Sequence, residues 1–215
     1  MKSIVEYLKP FNLTFDQQEA LIIYTEVLLK WQNNFNLIGP STTSTLWSRH
    51  IVDSLQLRDF FPIIQINNQN IYDLGSGAGL PGMVLAIADH FSDFPQQNYF
   101  LVEANIKKAA FLAEIKRKLN LLNVTILNKR IEEIGILDPS FLADFLVARG
   151  LARLDNLFAL SLPLLKPTGK CIFLKGKDYE NEVALLKSRF SHLKLNLSIH
   201  FSLYAEQGKI IQISL

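Results

Sequence analysis

Several kinds of protein are excluded by what this sequence has little of. It contains one cysteine, Cys171, which rules out an intramolecular disulfide and a multi-cysteine zinc site and fits a reducing compartment. Long apolar runs are missing too. The greasiest helical stretch, Leu21 to Leu29, is broken by Thr25 and Glu26 and falls well short of the ~20 residues that cross a bilayer. Lys2, Glu6 and Lys9 interrupt the N-terminus before any signal-peptide core, so a soluble, cytoplasmic protein is expected, without a membrane partner. Net charge is small: 22 basic against 20 acidic residues give +2, which announces no nucleic acid by itself. The histidines, His50, His90, His192 and His200, are scattered without ligand spacing, so no metal is expected and a structural role suits each.

What is present is a folding composition, 49% hydrophobic and 20% charged over 215 residues. That length suits one generous domain, or one domain with a sizeable N-terminal addition. The first seventy residues read as helical. Thr14 followed by Gln17 reads as a capping box, and Ala20, Ile23, Val27 and Trp31 recur at helical spacing up to a stop at Gly39-Pro40. A second helix is expected over Ser44 to Phe60, ended by Pro62, and a polar loop over Gln65 to Asn70.

Strands and helices then alternate. Strands are expected at Ile71–Leu74, Tyr99–Ala104, Val124–Leu127, Asp144–Ala148 and Cys171–Leu174, the last after a Lys166-Pro167-Thr168-Gly169 turn. Helices are expected at Leu80–His90, Lys107–Asn120, Leu154–Leu165 and Asp178–Phe190. This order implies an α/β fold, a mostly parallel sheet covered on both faces. Two closing strands, Leu193–Leu203 and Lys209–Ile213, have no helix between them and should pair antiparallel at one edge. The expected division is a helical extension over residues 1–66 packed on a ligand-binding core over 67–215. A single core accounts for the amphipathic segments, so a monomer is expected.

The most informative segment lies between the first strand and its helix. Four of the 10 glycines, Gly75, Gly77, Gly79 and Gly82, fall within eight residues. Such a loop lets a ligand approach the main chain closely; a plain tight turn is the bland alternative. The dinucleotide pattern Gly-x-Gly-x-x-Gly is met in the register Gly77, Gly79, Gly82, so a nicotinamide cofactor and an NAD-dependent oxidoreductase stay open on pattern alone. Asp73, just before the loop, opposes a pyrophosphate and suits an ammonium. S-adenosylmethionine offers an ammonium and a sulfonium and carries no phosphate. Glu103, 24 residues after Gly79, stands where an acid receives ribose hydroxyls, a feature common to both cofactors.

The run Asp73-Leu74-Gly75-Ser76-Gly77-Ala78-Gly79-Leu80-Pro81-Gly82 resembles motif I of class I methyltransferases. Asn36-Leu37 and Arg49-His50-x-x-Asp53-Ser54-Leu55 stand upstream; Arg130-Ile131-Glu132-Glu133, Ala148-Arg149 and Leu174-Lys175-Gly176 follow in order. Together they resemble the small-subunit rRNA methyltransferase G family, also called glucose-inhibited division protein B, from about Gln17 to Lys177. The resemblance implies a Rossmann-like methyltransferase core and methyl transfer from S-adenosylmethionine to N7 of one guanosine in 16S ribosomal RNA. It also implies cofactor contacts at Gly75, Leu80, Ile131, Glu132 and Arg149; Asp73, Gly77 and Glu103 join them from the reading above. Ile38 and Gly150 depart from the pattern, where Thr and Ala are usual. A small-molecule methyltransferase is the nearest rival, against which the helical extension and a Lys-rich stretch favour a larger substrate.

Guanine N7 has a free lone pair, so no general base is needed and no catalytic acid or base is assigned. Arg149 could hold the cofactor carboxylate or steer an RNA phosphate; a salt bridge to a local acid is its other reading. The charge is unevenly spread. Residues 151–215 carry +4, and the window 107–130 carries +6 from Lys107, Lys108, Lys116, Arg117, Lys118, Lys129 and Arg130 against Glu114. That window reads equally as an RNA face or a solvated helix face. Candidate contacts to 16S ribosomal RNA or the small ribosomal subunit are Arg49, His50, Lys175 and Lys177.

Overall fold

A computed structural model describes residues 3–61, 68–92, 97–135, 138–205 and 207–215. The boundary expected at 66/67 and half of the loop expected over Gln65–Asn70 lie outside these residues. Seven strands form one sheet in the order β3-β2-β1-β4-β5-β7-β6. They are β1 (Asn70–Leu74), β2 (Asn98–Val102), β3 (Val124–Leu127), β4 (Ala143–Arg149), β5 (Leu165–Lys175), β6 (Asn196–Phe201) and β7 (Lys209–Ser214). β1 to β5 run parallel, and β7 lies antiparallel between β5 and β6. The antiparallel pairing expected of the last two strands is present; β7 docks inward and leaves β6 at the edge.

Alternation along β1 shows how the two faces are assigned. Ile71 joins one apolar cluster with Met83, Val84, Phe111, Leu112 and Ile115, while Tyr72 and Leu74 join another with Leu157, Phe158, Leu186 and Phe190. The first cluster covers the face carrying α4 (Gly82–His90) and α5 (Ile106–Lys118); the second covers the face carrying α6 (Leu154–Ser161) and α7 (Tyr179–Arg189). Every residue of β1 is buried, as a central parallel strand covered on both faces must be. Asp73 shares Ile71's face and so lies under α4.

The N-terminal segment begins with α1 (Ile4–Leu8) and α2 (Phe15–Gln32). The Thr14 capping box is present in both directions: Gln17 N–H donates to Thr14 Oγ1 at 3.2 Å and Thr14 N–H to Gln17 Oε1 at 2.7 Å. Gln17 Nε2 also donates to the Ala88 carbonyl of α4 at 2.6 Å, and Trp31 Nε1 to Glu114 of α5 at 2.8 Å. With Leu21, Tyr24 and Leu28 in the same cluster as α4 and α5, the segment shares the core of the sheet domain.

Three local expectations are corrected. α2 ends at Gln32, ahead of Gly39-Pro40. There the Gln32 side chain accepts from Leu37 and Ile38 N–H and donates to the Ile38 carbonyl, pinning the reversal. The helix expected over Ser44–Phe60 is a helical run of mixed pitch: 3₁₀ over Pro40–Thr45, π over Trp47–Val52, α3 (Asp53–Leu55), then 3₁₀ over Gln56–Phe60. The turn expected at Lys166–Gly169 is the opening of β5, with a register irregularity where β4 passes from Ala143 to Phe145.

Candidate functional site

Parallel strands bring the ends of β1, β2, β4 and β5 to one edge, and the candidate residues collect there in two groups. The first surrounds the glycine loop. Asp73 is buried under it: Oδ2 accepts from the Ser76 hydroxyl at 2.6 Å and from Gly82 N–H at 3.0 Å. Its Oδ1 is buried without a partner. Burial raises the carboxyl to about 7, with the Glu103 charge adding to it and the two hydrogen bonds opposing. Glu103 accepts from Gly77 N–H at 2.8 Å and from Asn105 N–H at 2.7 Å. One oxygen is used for each, and each keeps a lone pair for a further donor.

Gly75 has φ +67°, and a Cβ there would lie 2.5 Å from Leu151 Cδ1, so a side chain would strain the backbone and displace Leu151. Leu80 is buried in the α4-side cluster. Ile131 packs in the opposite cluster with Leu74 and Val102, at the start of a 3₁₀ turn over Ile131–Glu133 in which Glu132 is exposed.

Sequence reasoning missed Tyr24 of α2 here. Its hydroxyl donates to the Ala78 carbonyl at 2.6 Å, so α2 fixes the middle of the glycine loop. The available signal was a phenol within an aliphatic stripe, since a buried tyrosine hydroxyl requires a partner.

The second group lines a cleft of about 770 Å³ beside the ends of β4 and β5, where Arg49, Asp53, Arg149, Lys175, Lys177 and Tyr204 all contribute. Arg149 is placed here. Its guanidinium pairs with Asp53 at 3.2 Å, with side chains 20% and 4% exposed. The Arg149 Nη1 forms an ion pair without a well-directed hydrogen bond. Of its alternative readings, the local salt bridge is therefore the contact this structure contains. Asp53 Oδ1 accepts from Gln56 Nε2 and the Ser202 hydroxyl, each at 2.5 Å. Ser202 Oγ in turn accepts from Tyr204 and Ala205 N–H. One carboxylate thereby joins the N-terminal segment, β4 and the β6–β7 connection. Burial raises its affinity for a proton and the Arg149 charge opposes this.

The four RNA candidates separate. Arg49 and Lys177 are exposed at the cleft. Lys175 lines it but is committed, donating to the Ala152 carbonyl at 2.7 Å and pairing with Glu182 at 2.5 Å. His50 is 8% exposed, with Nε2 2.8 Å from Thr42 Oγ1. Burial, with Arg149 and Arg49 nearby, lowers its pKa to about 3. A buried neutral imidazole is not presented to a phosphate, so the placement of His50 fits a structural role.

The basic window is not one patch. Lys107 and Lys108 start α5 and Lys129 and Arg130 follow β3, near the ligand edge, whereas Lys116, Arg117 and Lys118 end α5, roughly 15 Å away along the helix. Gly150 adopts φ +62°, with open space where a Cβ would stand, so the Ala-to-Gly departure relieves backbone strain beside Arg149. Ile38 is buried in the core.

The family model for rRNA small subunit methyltransferase G matches residues 17–211. This chain belongs to that family. Membership in the rRNA small subunit methyltransferase G family agrees with close relatives bearing the name ribosomal RNA small subunit methyltransferase G. One from Paramagnetospirillum magneticum is 42% identical over 178 residues, covering 83% of this chain and 80% of its own. One from Rickettsia rickettsii is 37% identical over 200 residues, covering 91% and 93%. Among solved structures, a SAM dependent methyltransferase from Aquifex aeolicus superposes with a TM-score of 0.58 at 16% identity, over 94% of this chain and 100% of its own. M. jannaschii TYW2 in complex with AdoMet gives 0.53 at 17%, over 75% and 74%. At such identities the structures establish the fold, a class I Rossmann-like methyltransferase.

The glycine loop fits the cofactor of that fold: an unpartnered carboxylate oxygen at its base suits an ammonium, and a second acid with free lone pairs suits ribose hydroxyls. No helix among the described residues is long and apolar enough to cross a membrane. Among the described residues no group of three or more metal-ligating side chains converges.

Proposed function

We propose that this protein methylates N7 of one guanosine in 16S ribosomal RNA, with S-adenosylmethionine as donor. The observation that carries the reading is the pairing, at one sheet edge, of an Asp73/Glu103 glycine loop with a cleft bordered by Arg49 and Lys177. The loop is acidic and closely approachable, as a phosphate-free cationic cofactor requires. The cleft beside it is basic, as an RNA substrate requires.

When bound, the cofactor supplies an electrophilic methyl group on sulfonium sulfur. The residues that would hold it are Asp73, Gly75, Gly77, Leu80 and Glu103, with Ile131 and Glu132 closing the side beyond β2. Because N7 carries its own lone pair, the chain contributes alignment and exclusion of water. Arg149, paired with Asp53 at the end of β4, would add a contact to the cofactor carboxylate. A-form RNA hides N7 in a narrow major groove, so the target guanosine is presented in a loop or splayed out. The reading retains residues 1–66 as a helical extension on a core of 67–215, a monomer, and a cytoplasmic location alongside ribosomes.

The test is transfer of labelled methyl from S-adenosylmethionine to small ribosomal subunits lacking this mark. Label in 16S RNA supports the reading. Tight cofactor binding with no label in any RNA defeats it.

A further inference from the structure

Beyond the cleft, the register of the last three strands builds a row that crosses the ligand edge. Lys175 of β5 is opposite Lys209 of β7, which is opposite Phe201 of β6. Directly opposed residues of antiparallel strands project to the same face, here the face of α7. The Lys209 ammonium stands 3.6 Å from the Phe201 ring centroid and 5.2 Å from that of Tyr179 on α7. The two rings leave Lys209 only 9% exposed.

Lys175, at the inner end of the row, is neutralised by Glu182. Lys209 is in none of the ion pairs among the described residues. Its charge is faced by two aromatic rings rather than by a carboxylate. Phe201 is 75% exposed and Leu203, two residues on, is 74% exposed. Tyr204, Ala205 and Gly208 of the same β6–β7 connection line the cleft, so the row continues the cleft wall.

We propose that Phe201 and Lys209 extend the RNA-binding surface past the cleft, Phe201 as a stacking platform for an unpaired base and Lys209 as a contact to a backbone phosphate. The inference rests on the RNA-methylating reading given above and adds residues to it. An exposed phenylalanine alone is ordinary on a protein surface. One whose ring is backed by a lysine, beside an exposed leucine and a basic cleft, matches how single-stranded nucleic acid is held. There bases stack on aromatic rings, cations face the backbone and each strengthens the other. Arg49 and Lys177, exposed at the adjoining cleft, supply the complementary charge, which an apolar protein partner would not require.

The experiment measures methyl transfer to small ribosomal subunits lacking the mark, for wild type, Phe201→Leu, Phe201→Trp, Lys209→Met and Lys209→Arg. Cofactor affinity is measured separately by calorimetry. Phe201→Leu should raise KM for subunits about tenfold with unchanged cofactor affinity, and Phe201→Trp should retain wild-type KM. Lys209→Met should make the fall of log kcat/KM with log salt shallower by about 1, and Lys209→Arg should not. Phe201 is solvent-facing, so its variants report even where Lys209→Met folds poorly. Wild-type KM and salt slope in Phe201→Leu and Lys209→Met would overturn the inference while leaving the RNA-methylating reading intact, and would point the patch toward a protein partner. No transfer by wild type would overturn both.

Discussion

The Tyr24 hydroxyl donates to the Ala78 carbonyl at 2.6 Å, so the second helix of the chain holds the middle of the glycine loop. Both residues are buried, and the bond lies across 54 positions of sequence. The N-terminal helices therefore take part in shaping the glycine loop.

Tyr24→Phe removes one hydroxyl and leaves a buried carbonyl unpaired, which costs about 1–2 kcal/mol. The loop is then less firmly set in its receptive form. We expect KM for S-adenosylmethionine to rise roughly five- to tenfold with kcat little changed. Thermal unfolding and steady-state kinetics on the same preparation check this. A fall in kcat at unchanged KM would place Tyr24 elsewhere in the reaction.

The Asp53–Arg149 pair permits a double-mutant cycle. Asp53→Asn strands a largely buried guanidinium beside Arg49 and should destabilise the fold by about 2 kcal/mol, less than a fully enclosed pair because Arg149 keeps some solvent. Arg149→Met removes the stranded charge, so the double variant should recover much of that loss. Methyl transfer should stay low in both variants containing Arg149→Met. Restored activity in the double variant would show that Arg149 serves only to neutralise Asp53.

Asp73 carries the opposite signature to an ordinary salt-bridged carboxylate. Its folded value of about 7 lies above its unfolded one, so the folded state keeps a proton that the unfolded state releases. Stability from this group is present at acid pH and falls as pH rises from about 4 to 7. Asp73→Asn should therefore raise stability at pH 8 by roughly 2–4 kcal/mol while abolishing cofactor binding. In wild type, cofactor affinity should weaken below pH 7 by about tenfold per unit, because the ammonium requires the ionised carboxylate. Calorimetry across pH 5.5–8.5, about the value of 7 for Asp73, checks both.

His50 works in the other direction. Its folded pKa of about 3 lies below that of the unfolded chain, near 6.5. The unfolded state takes up a proton first, and stability is lost as pH falls from 6.5 toward 3. His50→Gln should flatten this acid arm by up to about 1.4 kcal/mol per pH unit. It should leave the salt dependence of RNA methylation unchanged, whereas Arg49→Gln should make that dependence shallower by about 1 in log–log slope. Denaturation curves at several pH values, with kinetics over a salt series, separate the two residues.

Local chemistry made most of the fold legible. The Thr14–Gln17 box, the strand before the glycine loop, and the alternation of short apolar runs with amphipathic stretches each state their own structure. Legibility ended where side chains act at a distance. Gln32 ends α2 by clasping Leu37 and Ile38, an instruction weaker to read than Gly39-Pro40. The Lys166–Gly169 segment has turn residues, yet the sheet draws it into β5. At the site, Asp73, Gly75, Gly77 and Glu103 were readable because spacing brings them together. The engagement of Arg149 by Asp53, and of Lys175 by Glu182, joins residues 96 and 7 positions apart; nearness in sequence makes only the second pairing partly foreseeable. Which cations stay available for RNA therefore needed the tertiary structure.

The most direct test of the account uses the chemistry of its product. N7-methylguanosine carries a fixed positive charge, which makes its ring reducible by borohydride and its strand cleavable by aniline. Small ribosomal subunits lacking the mark, incubated with the protein and S-adenosylmethionine, should yield one new cleavage in 16S RNA that requires both. Methyl label in the RNA without that cleavage, or no label at all, would contradict methylation at guanine N7.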